Sequence, residues 1–326
     1  MFEALKMKKS KHHYLPECFI KNFTEDGKTY ILDMFIFNKI KQYKPDASPS
    51  INPRSPGSIC YIPDLHVLEE SFKKRFPAYA LLNELALEND IFGCLETEYG
   101  RIFPCIEKRQ RLNISQAITF IKFLISLKLR NPYRVKSIDI TSYLKDESIN
   151  SLIEVGLSIY PNLPASVFRE LIDSIAEEYS NDPSFIEQYF KGGLLRRHLP
   201  GGLLEKITSK LISYKWYLLE ACTGANFISS DNPGFSISDN KSFNTKYDSN
   251  FSFFFPLSST FCLYISDNDL ENDGFFGGDE KLFIHQVISE QCVNEINEIG
   301  FRYKYRYIFA KKKESLKSFL PIITGG

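Results

Sequence analysis

Histidine is the side chain that can take or give a proton near neutral pH. This chain sets two of its five side by side, in Lys11-His12-His13-Tyr14-Leu15-Pro16. Two further polar positions stand out against apolar surroundings: Arg130, just before Asn131-Pro132, and the run Ser229-Ser230-Asp231-Asn232-Pro233. Brought together, these residue types suit phosphoryl or glycosyl chemistry. His12 or His13 would act as general acid or base, and Arg130 would clamp an anion. Asp231 would orient the histidine or hold a divalent metal ion. Ser230, Asn232, Asn294, Arg302, Lys304 and Arg306 are candidates for substrate contacts. Each has a plainer reading: a half-buried histidine, a cation at a helix C-terminus, a turn built for backbone reasons.

The elements that must position these residues follow from periodicity. Pro16 biases Leu15 toward extended backbone, so the histidine pair is expected on a strand, its two rings on opposite faces. Asp26-Gly27 signals a tight hairpin turn, and residues 29–37 alternate well enough for a second strand. Residues 44–63 read as a Pro- and Ser-rich loop. Helical packing is expected from residue 66, with a break near Pro77 and a further helix over 91–103. Asn113 and Gln116 form a capping box for an apolar helix ending at Arg130, because Pro132 disfavours helix at Asn131.

Residues 135–190 read as shorter amphipathic helices, followed by a basic loop at Arg196-Arg197-His198. A helix carrying Trp216 is expected over 203–221. Strands are expected at 226–229, 251–256 and 260–266, with an acidic loop over 267–279. That loop could attract a hard cation but lacks EF-hand spacing. A helix over 282–299 then precedes a last strand over 301–310. On that strand Arg302, Lys304 and Arg306 share one face, a stripe that could follow a phosphate backbone or protect a sheet edge.

The fold class expected is α+β. A mixed or antiparallel sheet of N- and C-terminal strands would be covered by a central helical region. The chain would form a single domain over 1–326, with N-terminal strands and loop over 11–62, helices over 65–221 and C-terminal strands plus helix over 225–310. Forty basic and forty acidic residues cancel, so any nucleic-acid surface must be a local patch. Seven cysteines without a CxxC pair read as reduced, mostly buried thiols of a cytoplasmic protein. The most apolar run, 114–129, contains Lys122 and Lys128 and reads as a core helix, so no membrane partner is expected.

The ordered motifs His12-His13-Tyr14-Leu15-Pro16 with Phe23, Arg130-Asn131-Pro132, Phe227 to Pro233, and Pro256-Leu257-Ser258 resemble those of a bacterial family, domain of unknown function 4238. An asparagine, Asn294 or Asn297, before a basic-aromatic segment completes the pattern. The resemblance spans residues 11 to 310 and implies one unit, but it brings no reaction with it. There is no GxSxG elbow, P-loop, HExxH or dinucleotide fingerprint. The residues support a hydrolase of phosphodiester bonds, such as a nuclease serving as a toxin or in phage defence, with a nucleic acid or nucleotide as partner. The alternative is a nucleotide- or peptide-binding module without turnover.

Overall fold

The computed structural model describes residues 10–133, 160–182, 184–236, 252–266 and 279–321, with a few positions between 150 and 158. The class is α+β. The described chain divides into two compact units: residues 1–68, 82–131 and 197–326 form the larger, and residues 69–81 and 132–196 the smaller.

In the larger unit a four-stranded antiparallel sheet runs in the order Ile51–Arg54, Thr29–Asp33, Tyr307–Ala310, Ser229–Ser230. It joins the two ends of the sequence, as expected. A five-stranded sheet runs Ile284–Ile288, Lys215–Ala221, Phe261–Ser266, Ser252–Pro256, Phe235–Ser236, and only its first pair is parallel. The central helix, Ile114–Leu129, is capped by Asn113 and Gln116 in both directions, at 2.9 and 3.0 Å. It is buried on nearly all sides, packing on the helices Gly93–Glu107 and Leu203–Leu211. Tyr99 stacks on Phe123 with centroids 3.9 Å apart.

Several elements differ from the sequence reading. The histidine strand is only Lys11–His13, and it pairs with Tyr61–Pro63 rather than with the strand after the Asp26-Gly27 turn. Residues 17–23 are helical. The strand Thr29–Asp33 stops because Asp33 caps a helix, Met34–Tyr43, accepting from the N–H groups of Phe35 and Ile36. Trp216 lies on the strand Lys215–Ala221, after the Leu203–Leu211 helix has ended. A strand, Ile284–Ile288, precedes the helix Glu290–Arg302. Arg196, Arg197 and His198 end a helix, Phe185–His198, instead of forming a loop. Nearly all of the acidic segment expected as a loop, residues 267–278, lies outside the described residues. The thiols are all free, but only Cys60 and Cys262 are buried, while Cys94 and Cys292 are exposed.

In the smaller unit the described elements include the helices Glu70–Arg75 and Ala165–Asn181 and the part of Phe185–His198 up to Arg196. Arg75 pairs with Asp182 at 2.6 Å and lies over the Phe185 ring. Phe76 packs edge-on against Tyr189. No described helix is long and apolar enough to cross a membrane.

Candidate functional site

The pairing of Lys11–His13 with Tyr61–Pro63 places His12 opposite Ile62 and His13 opposite Tyr61. As the alternation of a strand requires, the two rings differ in surroundings. His12 is buried and stacks on His66, with centroids 5.5 Å apart. The main-chain N–H of His66 donates to His12 Nδ1 at 3.0 Å. That nitrogen is therefore unprotonated, and the ring proton sits on Nε2. His66 is held in turn by Glu88, whose Oε2 lies 2.6 Å from His66 Nδ1.

Burial drives the His66 pKa down to about 4, against the pull of Glu88. Burial alone would raise the Glu88 carboxyl, but its hydrogen bond to His66 and nearby positive groups outweigh it and the net shift is downward. At neutral pH a neutral His66 thus donates from Nδ1 to an ionised Glu88. Its Nε2 is left as a lone-pair acceptor, buried and with no hydrogen-bond partner.

Glu88 comes from a π-helical turn, Leu87–Phe92, that runs into the Gly93–Glu107 helix. Such turns recur at functional sites because they displace side chains from helical register. The same turn supplies Phe92, whose ring meets His66 at 4.8 Å, His198 at 5.3 Å and the Arg130 guanidinium at 4.9 Å. His198 Nε2 lies 2.9 Å from Ser126 Oγ on the central helix. Four of the five histidines therefore gather in this part of the larger unit.

Arg130 caps the C-terminus of the central helix and is 1% exposed. Its Nη1 donates to Glu96 Oε1 at 2.8 Å, while Nε and Nη2 have no partner and no solvent. Those two atoms form one edge of the guanidinium plane, with parallel N–H bonds, the fork that grips a phosphate or carboxylate in two places. His13 lies within electrostatic reach of Arg130, Glu88, Glu96 and Glu17. Burial lowers its pKa, the acids pulling the other way. Its Nε2 is also buried without a hydrogen-bond partner, 4.0 Å from Glu17 Oε1.

The Asp231 carboxylate is taken up by main-chain donors. Its Oδ1 accepts from the Tyr305 N–H at 2.9 Å and its Oδ2 from the Arg306 N–H at 2.8 Å. Its own carbonyl accepts from Asn131 Nδ2. Burial raises its carboxyl to about 6, against these backbone donors. Ser230 Oγ accepts from the Asn232 N–H at 3.2 Å. Asn232 accepts from the buried Lys128 ammonium and donates to the Tyr303 carbonyl. The Ser-Asp-Asn-Pro run thus ties the central helix to the segment entering the last strand.

The basic stripe is not one strand face. Arg302 ends the Glu290–Arg302 helix and meets Glu298, Lys304 lies over the Phe301 ring, and Arg306 pairs with Asp33 at 2.8 Å. Only Tyr307–Ala310 is strand, and all four of its residues are buried. The propensity of alternating tyrosines for strand is overridden because the helix continues through Phe301, whose side chain packs in the core with Met34 and Ile308. Asn294 lines a separate polar cleft with Glu290, Lys312 and Ser315, while Asn297 bridges Asn226 and Ile228.

Sequence reasoning did not select His66, Glu88, Glu96 or Phe92. His66 carried a signal, being one of only five histidines and lying in the turn after a short strand. The two glutamates carried none.

Among the described residues, His12, His66 and Glu88 form the one group whose ligand atoms converge, within 4.8 Å, as a metal would need. As arranged His66 keeps one nitrogen open to a metal, Nε2, with its Nδ1 on Glu88. His12 Nδ1 and His66 Nδ1 are both engaged in hydrogen bonds, and a metal at either nitrogen would have to break one.

Fold and site together define an α+β protein with a buried histidine–arginine centre steadied by two glutamates. The chain belongs to the family described as "Protein of unknown function (DUF4238)", which matches residues 11–314. No curated protein and no solved structure matches it.

Proposed function

We propose that the chain is a hydrolase of phosphodiester bonds, with a nucleic acid or nucleotide as substrate. The observation that carries this reading is the fork of Arg130. A buried N–H without a partner costs about 1–3 kcal/mol, so the unpartnered N–H groups on Nε and Nη2 of one guanidinium mark a place where an anion completes the structure. A tetrahedral phosphate offers the two oxygens that such an edge takes.

In this reading Arg130 holds two phosphoryl oxygens and offsets the charge that grows on them. Glu96 fixes the guanidinium plane. His13, kept neutral by burial, takes a proton from the attacking water through Nε2 and returns it to the leaving oxygen. His66 Nε2 accepts a hydrogen bond from the same water or from the substrate and so aligns it. His12 and Glu88 are positioning residues for His66. The main-chain-bound carboxylate of Asp231 and the depressed pKa of His66 take both residues from the pool of ready proton donors among the described residues, and this favours the second reading, a nucleotide-binding module without turnover.

Turnover of bis(p-nitrophenyl) phosphate tests the choice. Hydrolysis by wild type, lost in folded His13→Ala and Arg130→Lys, supports the hydrolase. Saturable phosphate binding that depends on Arg130, with no hydrolysis over hours, supports the module.

A further inference from the structure

The Arg130 fork and the Nε2 atoms of His13 and His66 are closed to solvent, so a substrate larger than phosphate needs a second place to lie. A cleft of about 290 Å³ opens in the same unit, lined by Ile91, Cys94, Leu95, Lys122, His198 and Leu204. The buried Phe92 ring meets His66 and Arg130 of the centre, and it also meets His198, a wall of the cleft. Ile91, the neighbour of Phe92 in the sequence, and Cys94, two positions on, line the cleft themselves. Apolar walls with charged and polar groups of both kinds, here Asp90, Lys122, His198 and Glu205, suit a flat, partly apolar group that carries both hydrogen-bond donors and acceptors, as a nucleobase does.

We infer that this cleft is the outer subsite of the phosphodiester centre and takes the nucleoside portion of the substrate. Phe92 is the gate whose rotation joins cleft and centre. The inference rests on the proposed function and adds to it the substrate class and its route of entry.

Cys94 supplies the test, because its exposed thiol lines the cleft while Cys292, also exposed, lies on the Glu290–Arg302 helix. Alkylation of each cysteine in the full wild-type chain is followed by mass spectrometry, with adenosine 5′-monophosphate, with inorganic phosphate and with neither. Binding of both probes is measured by calorimetry on the same sample. With the mononucleotide at about ten times its Kd, only unliganded protein reacts and Cys94 alkylation slows about tenfold. Cys292 does not change, and phosphate alone leaves Cys94 reactive. A bound mononucleotide that leaves Cys94 as reactive as before overturns the subsite while the proposed function stands. Protection by phosphate alone also overturns it. If neither probe binds, the proposed function falls and this inference with it.

Discussion

The main-chain N–H of His66 donates to Nδ1 of His12 across 3.0 Å, joining residues 54 positions apart. This bond turns a short N-terminal strand into the support of a buried centre. It fixes the tautomer of His12 and holds the loop that presents His66 to Glu88.

Replacing His12 by alanine leaves the His66 N–H buried and unpaired, so we expect a loss of about 1–3 kcal/mol in urea unfolding. His12→Asn places an amide oxygen close to where Nδ1 sits and recovers most of that loss. Equal destabilisation by both variants would show that the hydrogen bond is not what His12 contributes.

Arg130→Lys keeps a cation beside Glu96 but removes the two-pronged edge. We expect kcat to fall about 100-fold, the usual scale for losing one fixed donor to a transition-state oxyanion, with the circular dichroism spectrum unchanged. Steady-state kinetics on the folded variant checks this, and an unchanged kcat would remove Arg130 from the chemical step.

The two ends of the centre's sequence were legible to different degrees. The capping box at Asn113 and the stop before Pro132 marked the helix that delivers Arg130, since both rest on local backbone chemistry. His12 and His13 were visible as residue types. Their partners were not, because the pairing of Lys11–His13 with Tyr61–Pro63 is a long-range choice that no local pattern encodes. The strands Lys215–Ala221 and Ile284–Ile288 were hidden for a related reason. Short apolar runs next to a helix continue its apparent period until the sheet they join is known. In the basic-aromatic segment, alternation suggested ten residues of strand where packing of Phe301 and the Arg306–Asp33 pair leave four.

The pKa shifts predict opposing pH dependences. His66 is depressed to about 4 in the fold, below its ordinary 6.5. The unfolded chain then binds more protons between those values, so the stability linked to a neutral His66 is lost as pH falls from about 6.5 toward 4. Asp231 is raised to about 6 from 3.8. The folded chain binds the extra proton here, so its contribution is present below about 3.8 and lost as pH rises through about 6. The stability gap between wild type and Asp231→Asn should therefore shrink as pH rises from 4 to 7. Urea titrations at fixed pH values measure it, and a gap that widens would contradict the assignment.

Asp231→Ala strips the acceptors from the Tyr305 and Arg306 N–H groups. We expect a loss of about 2 kcal/mol or more, seen as a lower urea midpoint. Turnover per folded molecule should change far less than in His13→Ala. Turnover abolished at full stability would instead place Asp231 in the chemical step.

The most direct test of the His13–Arg130 centre is a matched cleavage assay. Wild type, His13→Ala and Arg130→Lys are incubated with RNA, single-stranded DNA and duplex DNA, each with Mg²⁺, with Mn²⁺ and with chelator. We predict cleavage by wild type that persists in chelator, falls at acid pH, below the ordinary histidine range, as His13 takes up a proton, and drops about 100-fold or more in both folded variants. Cleavage that survives in both, or no cleavage of any substrate by wild type, would contradict the account.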